Sequence, residues 1–198
     1  MNKEFFDSLG KKAKGEHIPI VSSQAAELLL FMVQISKAVR VLEIGTAVGY
    51  STGLLASCSR VNQVTTIEID EDRQKQAKEN IAKAGLSDKV EFILGDAAEV
   101  LPALNGEYDF IFLDSAKGQY IRLLPECIRL LAPGGILFTD NVHFRGMVTG
   151  EEPVVKRFKT IVKRLQEYLA ALNSHPLLET IVLPLGDGVA VSYKKGGN

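Results

Sequence analysis

The chain has no tryptophan, two cysteines and three histidines among 198 residues, and these shortages close several routes. Cys58 and Cys127 each sit in an apolar helical pattern and read as buried free thiols, so neither a disulfide framework nor a thiolate metal site is expected. His17 and His175 neighbour proline-containing turns, and His143 follows Asp140-Asn141 by two, where it could line the pocket. That scatter argues against an imidazole-based metal centre. No apolar run approaches the roughly 20 residues of a membrane span. The opening stretch MNKEFFDSLGKKAKGEH lacks the apolar core of a secretory signal, so a cytoplasmic protein is expected, with no membrane partner. Charge of one sign is missing too: 23 basic against 24 acidic residues give a formal net charge of −1. Strong global attraction to nucleic acid is thereby excluded, while a local basic face is not.

What is present is a hydrophobic content of 46%, enough at this length for one domain over residues 1–198 with a sizeable core, residues 1–20 forming an N-terminal arm. The arm reads as a short amphipathic helix ending near Gly10 or Gly15, or as a solvated basic segment, followed by the extended His17–Val21. Ser22 is a candidate N-cap for a helix carrying Ala25, Ala26, Leu29, Met32 and Val33 on its apolar face. The first strand follows at once, in the stretch VRVLEIGTAVGYST from Val39 to Thr52. Its strand-turn-helix pattern, with Gly45 and Gly49 allowing close backbone approach, describes a nucleotide-type cofactor loop whose helix aims free N–H groups at the ligand. The order Glu43-x-Gly45-x-Ala47-x-Gly49 is not the dinucleotide fingerprint. A carboxylate ahead of the first glycine repels pyrophosphate and suits a cationic ligand.

Further along, strand and helix patterns alternate, and nearly every strand ends in an acid. Gln63–Asp70 reads as a second strand, delivering Glu68 beside the cofactor loop, where a carboxylate can accept both hydroxyls of a ribose; Asp70 reads as the cap of a helix from Arg73 to Ala84. Lys89–Leu94 is a third strand, followed by Asp96, either a helix N-cap or an acceptor for an adenine amino group. Tyr108–Leu113 ends in Asp114, with Lys117 three residues on. A helix from Tyr120 to Leu131 contains Pro125, Ala132–Gly135 is a turn, and Ile136–Thr139 is a fifth strand ending in Asp140-Asn141. Pro153 to Asn173 reads as one long helix, and Glu179–Leu183 with Val189–Tyr193 as a hairpin around the tight turn Gly186-Asp187-Gly188. The alternation predicts a doubly wound α/β fold built on a mainly parallel sheet.

The sequence E-x-G-x-x-x-G-Y-S, followed by FLDxxK and TDNV, resembles the metal-dependent O-methyltransferases among the class I S-adenosylmethionine (SAM)-dependent enzymes, the group that includes catechol and caffeoyl-CoA O-methyltransferases. The resemblance implies a seven-stranded, Rossmann-like sheet whose last strand is antiparallel, and SAM as cofactor. It places Val21, Glu43, Gly45, Thr46, Ala47, Gly49, Ser51, Glu68, Asp96, Ala97 and Asp114 around that cofactor. Ala47 stands where the wider class has a glycine. Asp114, Asp140 and Asn141 match the family's ligand set, an all-oxygen, hard site suited to Mg²⁺, Mn²⁺ or Ca²⁺. On residue type alone, acids at strand ends are equally helix caps, and Lys117 a surface lysine. The resemblance makes Asp114 and Lys117 catalytic, Lys117 as general base.

Several later features, including HIPI, AKGQY, TDNVHFRGMV, NSHP and PLGDGVAVS, resemble the bacterial branch that methylates 5-hydroxyuridine at the tRNA wobble position. The implied acceptor is then the anticodon loop, with Arg145, Arg122 and the lysines of the arm as phosphate contacts. His143 departs from that branch, where an apolar residue is expected. The alternative acceptor is a small catechol-like phenol. The resemblance also implies a homodimer, with the arm a candidate contact.

Overall fold

The computed structural model describes residues 3–196. Its frame is a seven-stranded sheet of β1 (Arg40–Ile44), β2 (Gln63–Glu68), β3 (Val90–Leu94), β4 (Tyr108–Leu113), β5 (Leu131–Asp140), β6 (Leu178–Leu183) and β7 (Val189–Lys194), in the order β3-β2-β1-β4-β5-β7-β6. Every neighbouring pair is parallel except those made by β7, which runs antiparallel to both β5 and β6. The central strands are apolar on both faces because helices cover both. Val41, Phe110, Phe112 and Phe138 point into one layer, and Leu42, Ile44, Ile111, Leu113 and Leu137 into the other. The first layer holds α1 (Lys3–Gly15), α2 (Ser23–Ile35) and α3 (Tyr50–Ala56), with α4 (Glu71–Lys83) beside α3. The second holds α5 (Ala97–Ala103), α6 (Tyr120–Leu130) and α7 (Lys159–Ser174).

Register then sets the site. Ile44 pairs with Ile67 on one side and Leu113 on the other, and Leu113 pairs in turn with Thr139. The next residue of each strand lies one step further, so Gly45, Glu68, Asp114 and Asp140 form a row along the carboxyl edge. Strand order reverses between β1 and β4, and the crevice outside such a switch point is where ligands enter doubly wound sheets.

Local signals account for the ends of many elements. Ser22 accepts from the Ala25 N–H (3.2 Å) and Asp70 from the Arg73 N–H (3.1 Å), capping α2 and α4 as expected. Lys89 belongs to a 3₁₀ turn and not to the third strand, because its Nζ reaches the carbonyls of Ala56 (3.2 Å) and Val61 (2.8 Å) at the end of α3. Lys194 does the same for α6 through the carbonyls of Ile128 (2.8 Å) and Leu131. The expected turn at Ala132–Gly135 is a bulge inside β5: Leu131 already pairs with Tyr108, and the register shifts before Ile136 pairs with Phe110. The last long helix starts later than expected. Pro153, Val154 and Val155 precede a 3₁₀ turn at Lys156–Phe158, and α7 begins only at Lys159, since the stiff Pro-Val-Val run stays extended up to Val155. Cys127 is buried and Cys58 half-buried, both as free thiols. No helix among the described residues is long and apolar enough to cross a membrane.

The N-terminal arm is a packed helix. Phe6, Leu9 and Ala13 of α1 are buried within their own chain. Phe6 lies over Gly53 of α3, where an added Cβ would collide with its ring, and Gly10 lies against the Tyr50 ring (3.0 Å from an added Cβ). The helix therefore runs through Gly10, which needs no side chain there. Replacing Phe6 by alanine should cost about 3 kcal/mol of stability and expose α1 to protease, measured by urea unfolding and limited proteolysis.

Candidate active site

The loop after β1 is shaped by backbone crowding. Gly45 has φ 107°, and a Cβ there would drive into the Asp114 carbonyl of the neighbouring strand, so only glycine lets the two strand ends close up. Gly49 has φ 80° and lies against Ala77, 3.1 Å from an added Cβ, which brings α3 onto α4. Ala47 adopts φ 47°, a left-handed conformation costing about 1 kcal/mol for an L-residue. Its N–H donates to Glu68 Oε2 at 2.8 Å, a charge-assisted bond that offsets the strain. Glu68 Oε1 takes the N–H groups of Ile69 and Asp70, each at 3.0 Å. This buried carboxylate therefore binds the turns after β1 and β2 together.

Glu43 does not point into the loop's opening. Strand alternation puts it on the Val41 face, fully buried against α3, where its Oε2 accepts from Thr66 (2.7 Å) and Thr52. Thr66 and Thr46 hydroxyls pair at 2.6 Å, extending the network to the loop. Burial pushes the Glu43 carboxyl up to about 7, against the pull of the hydroxyls, and its Oε1 has no partner. It braces the loop from beneath.

The cleft above the loop has a volume of about 450 Å³, within the range of small-molecule sites. Of the residues expected around a cofactor, Val21, Gly45, Thr46, Ala47, Ser51, Glu68, Asp96, Ala97 and Asp114 line it, as does Lys117. Glu43 and Gly49 do not, Glu43 because it faces α3 and Gly49 because it packs on Ala77. Asp96 caps α5 by accepting from the Ala98 N–H (2.9 Å) and is at the same time part of the wall, so cap and wall are one residue. Tyr50, Ile69, Arg73, Ser115 and Leu123 also line the cleft, outside the set the sequence assigns to the cofactor. Ile69 had a signal: it is an apolar residue between two acids, left 67% exposed at the cleft's edge.

Two strand-end acids complete the row, Asp114 on the cleft wall and Asp140 beyond it. Asp114 is 3.5 Å from Lys117 Nζ, and its carboxyl is held above the usual range by burial, partly opposed by that lysine. Asp140, 1% exposed, is pushed up to about 7 by burial and then by the negative charge of Asp114. Its Oδ1 accepts the Asn141 N–H at 2.8 Å, while its Oδ2 is buried without a partner. Asn141 takes φ 58°, a conformation asparagine tolerates. Among the described residues no three His, Cys, Asp or Glu side chains gather as metal ligands, so a third protein ligand beside Asp114 and Asp140 would be a group of another kind, such as the Asn141 amide. A hard divalent cation fits this set: it would take the orphaned oxygen and neutralise two like charges that otherwise oppose each other.

The segment after Asn141 is tied to the β6–β7 turn. The N–H groups of Val142 and His143 donate to the carbonyls of Gly188 (3.0 Å) and Asp187 (2.9 Å), and the Arg145 N–H donates to the Asp187 carboxylate. His143 packs on Gly188, where a Cβ would collide with the imidazole, so this histidine is held by the turn and lies outside the cleft lining. Arg145 and Arg157 both lie over the Phe158 ring, at 5.8 and 4.6 Å from its centroid.

Because the folded-state Glu43 pKa is raised from 4.5 to about 7, its contribution is fully favourable below 4.5 and is lost as pH rises through 7. Glu43→Gln should therefore gain on the wild type between pH 5 and pH 8, by up to about 3 kcal/mol, in paired chemical denaturation curves. Asp140 titrates in both proteins and cancels from the difference.

Residues 3–195 match a family model described as O-methyltransferase. The chain is 33% identical over 181 residues to a caffeoyl-CoA O-methyltransferase of Stellaria longipes, covering 85% of this chain and 73% of that protein. It is 30% identical over 185 residues to a catechol O-methyltransferase of Niastella koreensis, covering 88% and 82%. The structure of an O-methyltransferase from Bacillus cereus in complex with SAH superposes with a TM-score of 0.84 at 27% identity, covering 97% of this chain and 91% of that one. With the model match running almost end to end and the sheet order, glycine loop and strand-end acids in place, this chain belongs to the O-methyltransferase family.

Proposed function

We propose that this protein transfers a methyl group from SAM to one hydroxyl of a vicinal oxygen pair on a small, catechol-like phenol. The observation that carries this reading is the pair of Asp114, on the cleft wall, and the buried Asp140 one strand away, with Asp140 Oδ2 lacking a partner. When bound, SAM supplies an activated methyl group on a sulfonium, and a divalent cation held by Asp114, Asp140 and Asn141 makes an acceptor hydroxyl more acidic.

The chain's own residues supply the rest. Gly45, Thr46 and Ala47 bring backbone to the cleft floor, and Glu68, already fixed by three backbone N–H groups, offers its remaining lone pairs to the ribose hydroxyls. Asp96, Ala97, Ile69, Val21 and Ser51 complete the lining. A positive ligand charge above the loop favours the ionised form of Glu43 beneath it. Lys117, 3.5 Å from the Asp114 carboxylate and in the cleft lining, serves as the general base for the acceptor hydroxyl.

The relatives named above are named for phenolic acceptors, and this favours the small phenol over the wobble base expected from the later motifs. The basic helix of the tRNA reading also sits elsewhere: α1 packs on α3, and Lys11, Lys12 and Lys14 do not line the cleft. The wobble-base reading becomes an arm of the test.

Radiolabelled methyl transfer from SAM, with Mg²⁺ or Mn²⁺, should label a simple catechol far better than 5-hydroxyuridine-containing tRNA. Label confined to tRNA, with binding that weakens steeply as salt rises, would reverse that choice. Asp140→Ala should lower catechol turnover at least about 100-fold and leave SAH affinity within a few-fold, and chelator should abolish wild-type turnover. Turnover that survives chelator would remove the cation from the reading. Lys117→Ala should lower kcat by about 10² or more with little change in SAH affinity.

A further inference from the structure

Two phenols are buried in the apolar layer beneath the carboxylate pair. Tyr120, the first residue of α6, and Tyr168, in the middle of α7, are both 0% exposed, and their rings meet at 5.5 Å between centroids with planes 60° apart. Neither lines the cleft. Their hydroxyls nevertheless converge on two consecutive residues of β5. Tyr120 donates to the Asp140 carbonyl at 3.2 Å, and Tyr168 pairs with the Thr139 hydroxyl at 2.6 Å. The pairing of β5 with β4 ends at Thr139, so Asp140 lies past the last rung, and its carbonyl is taken by a side chain from α6. On the other side of β5, Asp140 is opposite Val189 of β7.

Burying a phenol costs desolvation of its hydroxyl, and a phenylalanine would fill the same space without that cost. Here the cost is incurred twice at one strand end, and both hydroxyls find partners in the two residues immediately before Asn141. We infer that Tyr120 and Tyr168 are positioning residues, which fix the end of β5 so that Asp140 and Asn141 face Asp114 in the geometry a shared cation needs. The inference rests on the cation reading given under the proposed function. Side chains that orient ligands without touching the ion are worth about 10–100-fold in metal affinity when removed.

Tyr120→Phe removes one oxygen and keeps the ring. Mn²⁺ titrations of wild type and variant, followed by the loss of the free-ion electron paramagnetic resonance signal, should show about tenfold weaker binding in the variant. SAH affinity, measured by calorimetry, should be unchanged, since the tyrosine lies outside the cofactor cleft. A general loss of structure would move both constants. Tyr168→Phe should weaken Mn²⁺ binding in the same sense but less, because its hydroxyl holds a side chain and not the ligand's own backbone. If Tyr120→Phe fails to fold, Tyr168→Phe carries the test alone. Mn²⁺ affinity within twofold of wild type in the folded variants overturns the positioning role while leaving the cation site standing. Absence of Mn²⁺ binding by the wild type overturns the cation reading and this inference with it.

Discussion

The negative charge that Asp114 sets beside the buried Asp140, one strand away, is the constraint to which the other features of this edge respond. Asp114 and Asp140 are brought together by register, since Leu113 and Thr139 pair and the acids follow each at once. Burial raises both carboxyls, and the negative charge of Asp114 raises that of Asp140 further. Lys117 compensates one of them from a short turn, and backbone N–H from Asn141 compensates one oxygen of the other. What is left over is an uncompensated acceptor at the junction of the two strands. Under the proposed function, a bound cation would take that oxygen.

The cofactor side of the edge obeys a different logic, in which backbone and not charge is crowded. Gly45 lets β1 and β4 approach beyond their last pair, and Ala47 accepts a strained conformation because Glu68 receives its N–H. Glu43 supports the same loop from the α3 side through Thr52, and through Thr66 to Thr46. The acids of this segment thus divide by strand face. Glu68 works at the surface of the cleft, and Glu43 works below it.

Much of this was legible in the sequence because sheet edges are simple: acids after short apolar runs had to fall on one side of a parallel sheet. Ser22 and Asp70 were readable as caps from type and position alone. Glu43 was misplaced because proximity to the glycine loop was weighed above the two-residue period that sets it on the face of Val41. The start of α7 was misplaced because proline at a helix start is a common signal, whereas Pro-Val-Val here continues the extended segment. The phenol pair under β5 left no sequence signature, since Tyr120 and Tyr168 are 48 positions apart and meet only when α6 packs on α7. Tyr120 reads locally as an ordinary apolar position.

The lysines that close α3 and α6 have a consequence at the scale of the whole molecule. Helices in a doubly wound sheet run opposite to the parallel strands, so Lys89 and Lys194 stand at the amino edge, each among helix-terminal carbonyls. Lys89 joins the start of β3 to the chain leaving α3, and Lys194 joins the end of β7 to the chain leaving α6, so each amine ties together segments 28 to 66 residues apart in sequence.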